Sequence, residues 1–485
     1  MSPSTVISII TGYFAVLLVI SYFTGKNANN QSFFLGNRKS PWYIVAFGMI
    51  SATLSGVTFI SVPGYVMESN FSYMQIVFGY IPGYIVIAHI LMPMYYRLNL
   101  TSIYTYLERR FGLKSYKTGA SFFLLSRTIG AAFRLFLVAN VLQITLFNQW
   151  NIPFEATVVI TILLIWLYTF KGGIKTIIWT DSLQTLFMLT AVGVTVYMIS
   201  QNLDLGFSGL IETVATSEDS KIFLFENWNH ENHFIKEFLA GAFITITMTG
   251  LDQDMMQKNL SCRNIKEARK NMYWFSLGLI PVNLLFLSLG ALLIIYAKRE
   301  GIPLPEQSDD LFPIIATKGY LAPAVGFFFL LGLVAAAYSS ADSALTALTT
   351  SFTVDILNPK NMKEKALKTL RKKVHVGVSI VLAIIIIIFN LVNDQSVISA
   401  LFTVAGYTYG PLLGMYTFGL FTKMQVKDKW VPLIAILSPI ISGIISFNSE
   451  VLFNGYKFGF ELLIMNGFLT FIGLLIVRRR KDALG

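Results

Sequence analysis

The run SATLSGVT, residues 51–58, falls in the middle of an apolar stretch that extends from about 42 to 67 and carries Pro63 and Gly64 near its far end. Small hydroxyl residues and Gly56 at that depth weaken a regular helix. In hydrocarbon, an irregular backbone is tolerated only where it is buried in protein or lines a cavity. A second softened run, TITMTGLDQD at 245–254, interrupts the stretch 234–258. The two interruptions lie five apolar stretches apart. A broken helix at the first position of each of two five-helix units is the pattern of an inverted-repeat transporter. The chain is thus expected to be an all-α polytopic membrane protein.

Composition supports that class. The 485 residues are 54% hydrophobic and only 13% charged, with a mean hydropathy of +0.63. A soluble domain carries about 25% charged residues, so this chain has too little charge to solvate a globule of its size. Apolar runs near spanning length occur at roughly 5–25, 42–67, 72–97, 118–147, 153–170, 174–200, 234–258, 271–297, 323–357, 374–393, 396–421, 430–448 and 458–477, thirteen in all. No soluble domain is evident. The reading is a single membrane domain over 1–485, with an extra N-terminal helix (1–30), a first five-helix repeat (42–200), a second, inverted repeat (234–422) and extra C-terminal helices (430–485). The polar connections 201–233 and 298–322 have room for short helices, and 101–110 reads as an interfacial helix.

The net charge of +11 reflects topology rather than nucleic-acid binding. With the basic run 478–481 placed in the cytoplasm, thirteen crossings put the N-terminus outside. Twenty-nine Lys and Arg then fall in inside loops and six in outside loops, and the bias selects this orientation over its inverse. The lone cysteine, Cys262, excludes an internal disulfide framework or a cysteine metal site and is expected to be inert in its loop.

Few residues carry chemistry. Asp181 opens a long apolar stretch. A carboxylate there is costly and calls for a partner: a transported cation, a proton or a buried base. In AAAYSSADSALTALTT (335–350), Ser339 and Ser343 share a helix face, Asp342 lies beside them, and Ser340 sits around the helix. These are hard oxygen ligands, suited to a hard cation; the competing reading is hydroxyls as interhelical glue. Arg127 and Arg134 fall inside the fourth stretch, where either is able to bind a carboxylate by its bidentate fork or to neutralise a buried Asp. Phe71 and Gln75, at i and i+4, pair a ring with an amide and suit a polar ring-shaped ligand, or else mark the membrane interface. The charges in DQDMMQK (252–258) read as a cytoplasmic helix end, and GYTYGPLLG (406–414) as a packing kink, with a hinge or gate as the competing reading.

GNRKSPW (36–42), the run 55–64 from Ser55-Gly56 to Pro63-Gly64, TSIYTYLERRFG (101–112), the Thr180-Asp181 pair, DQD (252–254), the Ser339-Ser340 pair and GYTYGP (406–411) stand in an order and spacing that resemble the sodium:solute symporter family over about residues 30–425. That resemblance implies the LeuT-type fold of five plus five helices and sodium-coupled import of a solute. By position, it implies a common sodium site from the backbone carbonyls of Ser51, Leu54 and Ala336 and the hydroxyls of Ser339 and Ser340. A second site like that of bacterial sialic acid symporters would use Asp181, Ser339, Asp342 and Ser343, with Asp342 a departure from the usual hydroxyl. Thr53, Ser55, Thr58, Phe71, Gln75 and Arg127 fall where such members hold a sugar acid. Sodium ions, a small-molecule solute and the lipid bilayer are the expected partners, in a monomer of the plasma membrane. Proton coupling through Asp342 or Asp181, a neutral sugar or amino acid as solute, and a sensor that binds without transporting are the competing expectations. No constellation of nucleophile and base suggests an enzyme.

Overall fold

The structure is a computed structural model that describes residues 3–25, 40–98, 102–169, 174–357, 362, 364–392 and 395–479; within these, the side chains of 51, 52, 166–179 and 337–342, among others, are not described. In chain order the helices are α1 (Pro3–Gly25), α2 (Trp42–Ser69), α3 (Tyr73–Leu98), α4 (Thr105–Arg110), α5 (Leu113–Thr145), α6 (Phe154–Thr169) and α7 (Ile174–Asn202). They continue as α8 (Phe207–Thr216), α9 (Phe234–Gly250), α10 (Gln253–Leu260), α11 (Ile265–Glu300), α12 (Leu311–Thr317), α13 (Pro323–Ser351) and α14 (Glu364–Val392). The last are α15 (Val397–Thr408), α16 (Gly410–Phe421), α17 (Val431–Phe447), α18 (Ser449–Leu452) and α19 (Leu462–Ile476). Among the described residues, β-structure is limited to two isolated bridges. Among the described residues, seven helices are long and apolar enough to cross a membrane, or nine when the bent pairs α9–α10 and α15–α16 each count as one span; α1, α6, α13 and α19 hold shorter apolar segments.

The interruption read at 51–58 is real, and its geometry is specific. Ser55, not Gly56, takes the reversed conformation (φ 41°, ψ −178°). A positive φ at a residue with a Cβ costs energy; the Ser55 side chain offsets part of it, because its Oγ accepts from Val57 N at 3.4 Å and starts the second half of α2. The second interruption is a sharp bend. A π-turn over Ile246–Gly250 ends α9, and α10 departs at 71°. Asp252 caps the new helix, its Oδ1 accepting from Asp254 N at 2.9 Å and Met255 N at 3.1 Å. A bend of 47° separates α15 from α16, where Pro411 opens the following helix.

The broken helix α2 is held between α11, α7 and α13. The helices α3 and α9 approach backbone to backbone: a Cβ on Gly79 would lie 2.0 Å from the Phe238 carbonyl oxygen, and one on Gly241 would lie 2.1 Å from that of Ile76. Close contact between small residues replaces the hydrophobic drive that is absent inside a bilayer. The short helix expected near 101–110 forms as α4. Its Arg110 donates to the carbonyls of Gly419, Thr422 and Met424, putting a cation on the C-terminal end of α16. Cys262 is fully buried between α10 and α11, and burial pushes its thiol up to about 12.

Candidate functional site

The break in α2 opens onto a cavity of about 80 Å³ bounded by α2, α3, α5, α9, α11 and α15. Thr53, Ser55 and Thr58 line it from the break, Tyr73, Tyr80 and Tyr84 from α3, and Arg127 and Arg134 from α5. Phe402 of α15 borders both this cavity and a second one of about 240 Å³ beyond it, which reaches Glu68 and Ser69. The Phe402 ring stacks on Tyr73 at 6.3 Å, and the Tyr73 hydroxyl bonds that of Tyr80 at 3.0 Å. An aromatic layer therefore separates the two spaces.

Four of the six residues expected to contact a solute, Thr53, Ser55, Thr58 and Arg127, meet at this cavity. Phe71 and Gln75 are buried elsewhere. The chain turns at Asn70 (φ 55°), so α3 begins only at Tyr73 and Phe71 precedes it. The Gln75 amide donates to the Asn232 carbonyl at 3.0 Å and to Glu237, and its Oε1 accepts from Leu224 N at 3.0 Å. Tyr73, Tyr80 and Tyr84 are the rings of α3 that line the cavity.

The charges at 252–258, expected as a solvated helix end, are buried. The bend at Asp252 turns α10 so that they meet partners on other helices. Arg127 holds Asp254 at 2.7 Å and Asp252 at 3.6 Å, and the Tyr409 hydroxyl donates to Asp252 at 3.3 Å. Lys258, at the last turn of α10, places Nζ 3.1 Å from Asp181 Oδ2 on α7, with the two side chains 4% and 1% exposed. Asp181 therefore has the buried base that was one of its three expected partners. Arg134 differs from Arg127: among the described residues it makes no ion pair within 4.0 Å, and its Nε has no hydrogen-bond partner. A count of buried opposite charges in the sequence would have flagged the pairing of 252–258 with Arg127 and Asp181.

The expected cation ligands divide by helix. Leu54 and Ala336 are both buried. Their helices touch where the Phe59 and Phe329 rings stack at 5.5 Å and where a Cβ on Gly332 would lie 3.0 Å from Phe59. Leu54 and Ala336 each sit about one turn from that contact. The backbone oxygens of 51–54 stand beside the reversal at Ser55 and are of the hard type that suits a hard cation. The side chains of Ser51, Ser339, Ser340 and Asp342 lie outside the described residues. Ser343 is described, and among the described residues its buried hydroxyl has no hydrogen-bond partner.

Known proteins resemble this chain over most of its length. The model of the sodium:solute symporter family matches residues 33–427. The sodium/sialic acid symporter NanT of Aliivibrio fischeri is 26% identical over 424 residues, covering 84% of this chain and 81% of that protein. The sodium/sialic acid symporter SiaT of Proteus mirabilis is 24% identical over 430 residues, covering 86% and 84%. A solved Na+-coupled sialic acid symporter, in a substrate-bound outward-open state, superposes with a TM-score of 0.79 at 21% identity and 97% coverage of both chains. The helix breaks, the hydroxyl-lined cavity between them and the match over 33–427 agree: this chain belongs to the sodium:solute symporter family and has its LeuT-type fold.

Proposed function

We propose that this symporter imports an acidic sugar, of which sialic acid is the leading candidate, together with sodium. One observation carries the reading. Among the described residues, Arg134 presents to the cavity a guanidinium with no carboxylate partner, beside the hydroxyls of Thr53, Ser55 and Thr58. A planar cation able to bind a carboxylate in bidentate fashion, next to hydroxyls that match those of a sugar, describes the chemistry of a sugar acid. Arg127, committed to Asp252 and Asp254, shapes the wall. The names of the relatives in Aliivibrio and Proteus point to the same solute class.

The common sodium, in this reading, is held by the carbonyls of Ser51, Leu54 and Ala336 and the hydroxyls of Ser339 and Ser340. It joins α2 to α13 and favours the arrangement that receives solute, by linkage. The membrane potential adds about 2.3 kcal/mol per charge per 100 mV to the sodium concentration term. A cavity of about 80 Å³ is below the ~300 Å³ lower range of ligand pockets, so a sugar enters only when the aromatic layer at Phe402 and Tyr73 moves aside. The repeats span 42–200 and 234–422, and one chain holds the whole pathway as a monomer in the plasma membrane. Its N-terminus lies outside and its C-terminus in the cytoplasm, as the loop charges direct.

The test is uptake of labelled N-acetylneuraminate into proteoliposomes. An inward sodium gradient is expected to drive accumulation that acidic sugars inhibit and neutral hexoses or amino acids do not. Uptake driven by a pH gradient without sodium, or equal inhibition by a neutral hexose, contradicts the proposal.

A further inference from the structure

The carboxylate expected to serve a second sodium is already occupied. Asp181 is buried, and the ammonium of Lys258 lies 3.1 Å from its Oδ2. The pair joins residues 77 apart in the chain and ties the bent half-helix α10 to α7. A sodium ion at Asp181 would share one carboxylate with that ammonium. Two like charges about 4 Å apart at an effective dielectric near 20 weaken binding by roughly a thousandfold, which puts such a site beyond ordinary sodium concentrations.

We infer that the Lys258 ammonium takes the place of a second mobile sodium at Asp181, so that this carrier moves one sodium per solute. The inference rests on the symport reading above. The tethered cation gives the link between α10 and α7 that a second ion would otherwise make, without adding to the coupling ratio. A flexible, compact ammonium suits that role better than a guanidinium fork, which would present more donors than one carboxylate accepts.

The experiment counts bound sodium with 22Na+ on purified carrier, without solute. The expected result is one sodium per wild-type chain and two per Lys258→Met chain, in which Asp181 loses its ammonium partner. Sodium dependence of uptake in Lys258→Met is expected to steepen from hyperbolic to sigmoidal. Two sodium ions on the wild type overturn the inference while leaving symport intact. One on a folded Lys258→Met chain also overturns it. No sodium on the wild type overturns the symport reading and this inference together. Should Lys258→Met not fold, the double variant Asp181→Asn/Lys258→Met removes both charges. Retained single-sodium uptake in that variant supports the inference, and loss of sodium coupling contradicts it.

Discussion

Two arginines seven positions apart on α5 line one cavity, yet they are predicted to fail differently. Arg127 holds Asp254 at 2.7 Å and Asp252 at 3.6 Å. Replacing it with Gln leaves two buried carboxylates facing each other without a cation. Breaking one side of a buried ion pair costs about 3–5 kcal/mol. At ~2 °C per kcal/mol for a large chain, the melting temperature falls by roughly 5–10 °C. Adding Asp254→Asn removes one of the orphaned charges and is expected to restore part of the loss. Among the described residues Arg134 has no ion pair to lose, so Arg134→Gln shifts stability by less than about 1 kcal/mol. Its effect is on the solute: losing a charge-assisted hydrogen bond costs about 1.5–3 kcal/mol, a roughly 10- to 150-fold weaker affinity for an acidic sugar. Thermal unfolding of detergent-purified carrier, followed by tryptophan fluorescence with and without solute, reads both effects. A thermally silent Arg127→Gln, or an Arg134→Gln that unfolds early and still binds the acidic solute normally, refutes the division of labour.

Asp309, in the connection between α11 and α13 and outside the spanning segments, accepts from Val397 N at 2.8 Å, and burial pushes its carboxyl up to about 7. Because the folded value is raised above the ordinary 3.8, the stability Asp309 contributes is full below about pH 4 and is lost as the pH rises through about 7, on the order of a few kcal/mol. Melting curves from pH 4 to 8 should show a decline that Asp309→Asn flattens; parallel pH profiles contradict this. Cys262, fully buried and with its thiol pushed up to about 12, should resist maleimide in the folded carrier and react once denatured, whereas fast labelling of the native protein would place it at the surface.

Much of the fold was legible because the bilayer leaves few options. The runs at 51–58 and 245–254 announced broken helices by their hydroxyls and glycines, and both breaks are present. The residue that reverses at the first break was less legible. Glycine is the usual choice for positive φ, but Ser55 takes it, since its hydroxyl also caps the helix that follows. Phe71 and Gln75 do not line this cavity: a turn at Asn70, which no periodicity marks, leaves Phe71 ahead of α3, and the Gln75 amide is taken by Asn232 and Leu224. In the sequence, Lys258 belongs to a run that reads as a cytoplasmic helix end. Its partner lies 77 residues away, and only a 71° bend in the backbone brings the two together. Charge totals carried part of this signal; three-dimensional pairing carried the rest.

The account depends on one cation joining the broken α2 to α13. The direct test is sodium titration of the thermal stability of the solute-free carrier, wild type against Ser340→Ala, with choline holding ionic strength constant. The account predicts that sodium raises the wild-type melting temperature, and that Ser340→Ala needs at least ~10-fold more sodium for the same rise, as expected for losing one ligand worth about 1.4 kcal/mol. An identical sodium dependence in the two proteins, or a wild type that responds to sodium no more than to choline, contradicts it.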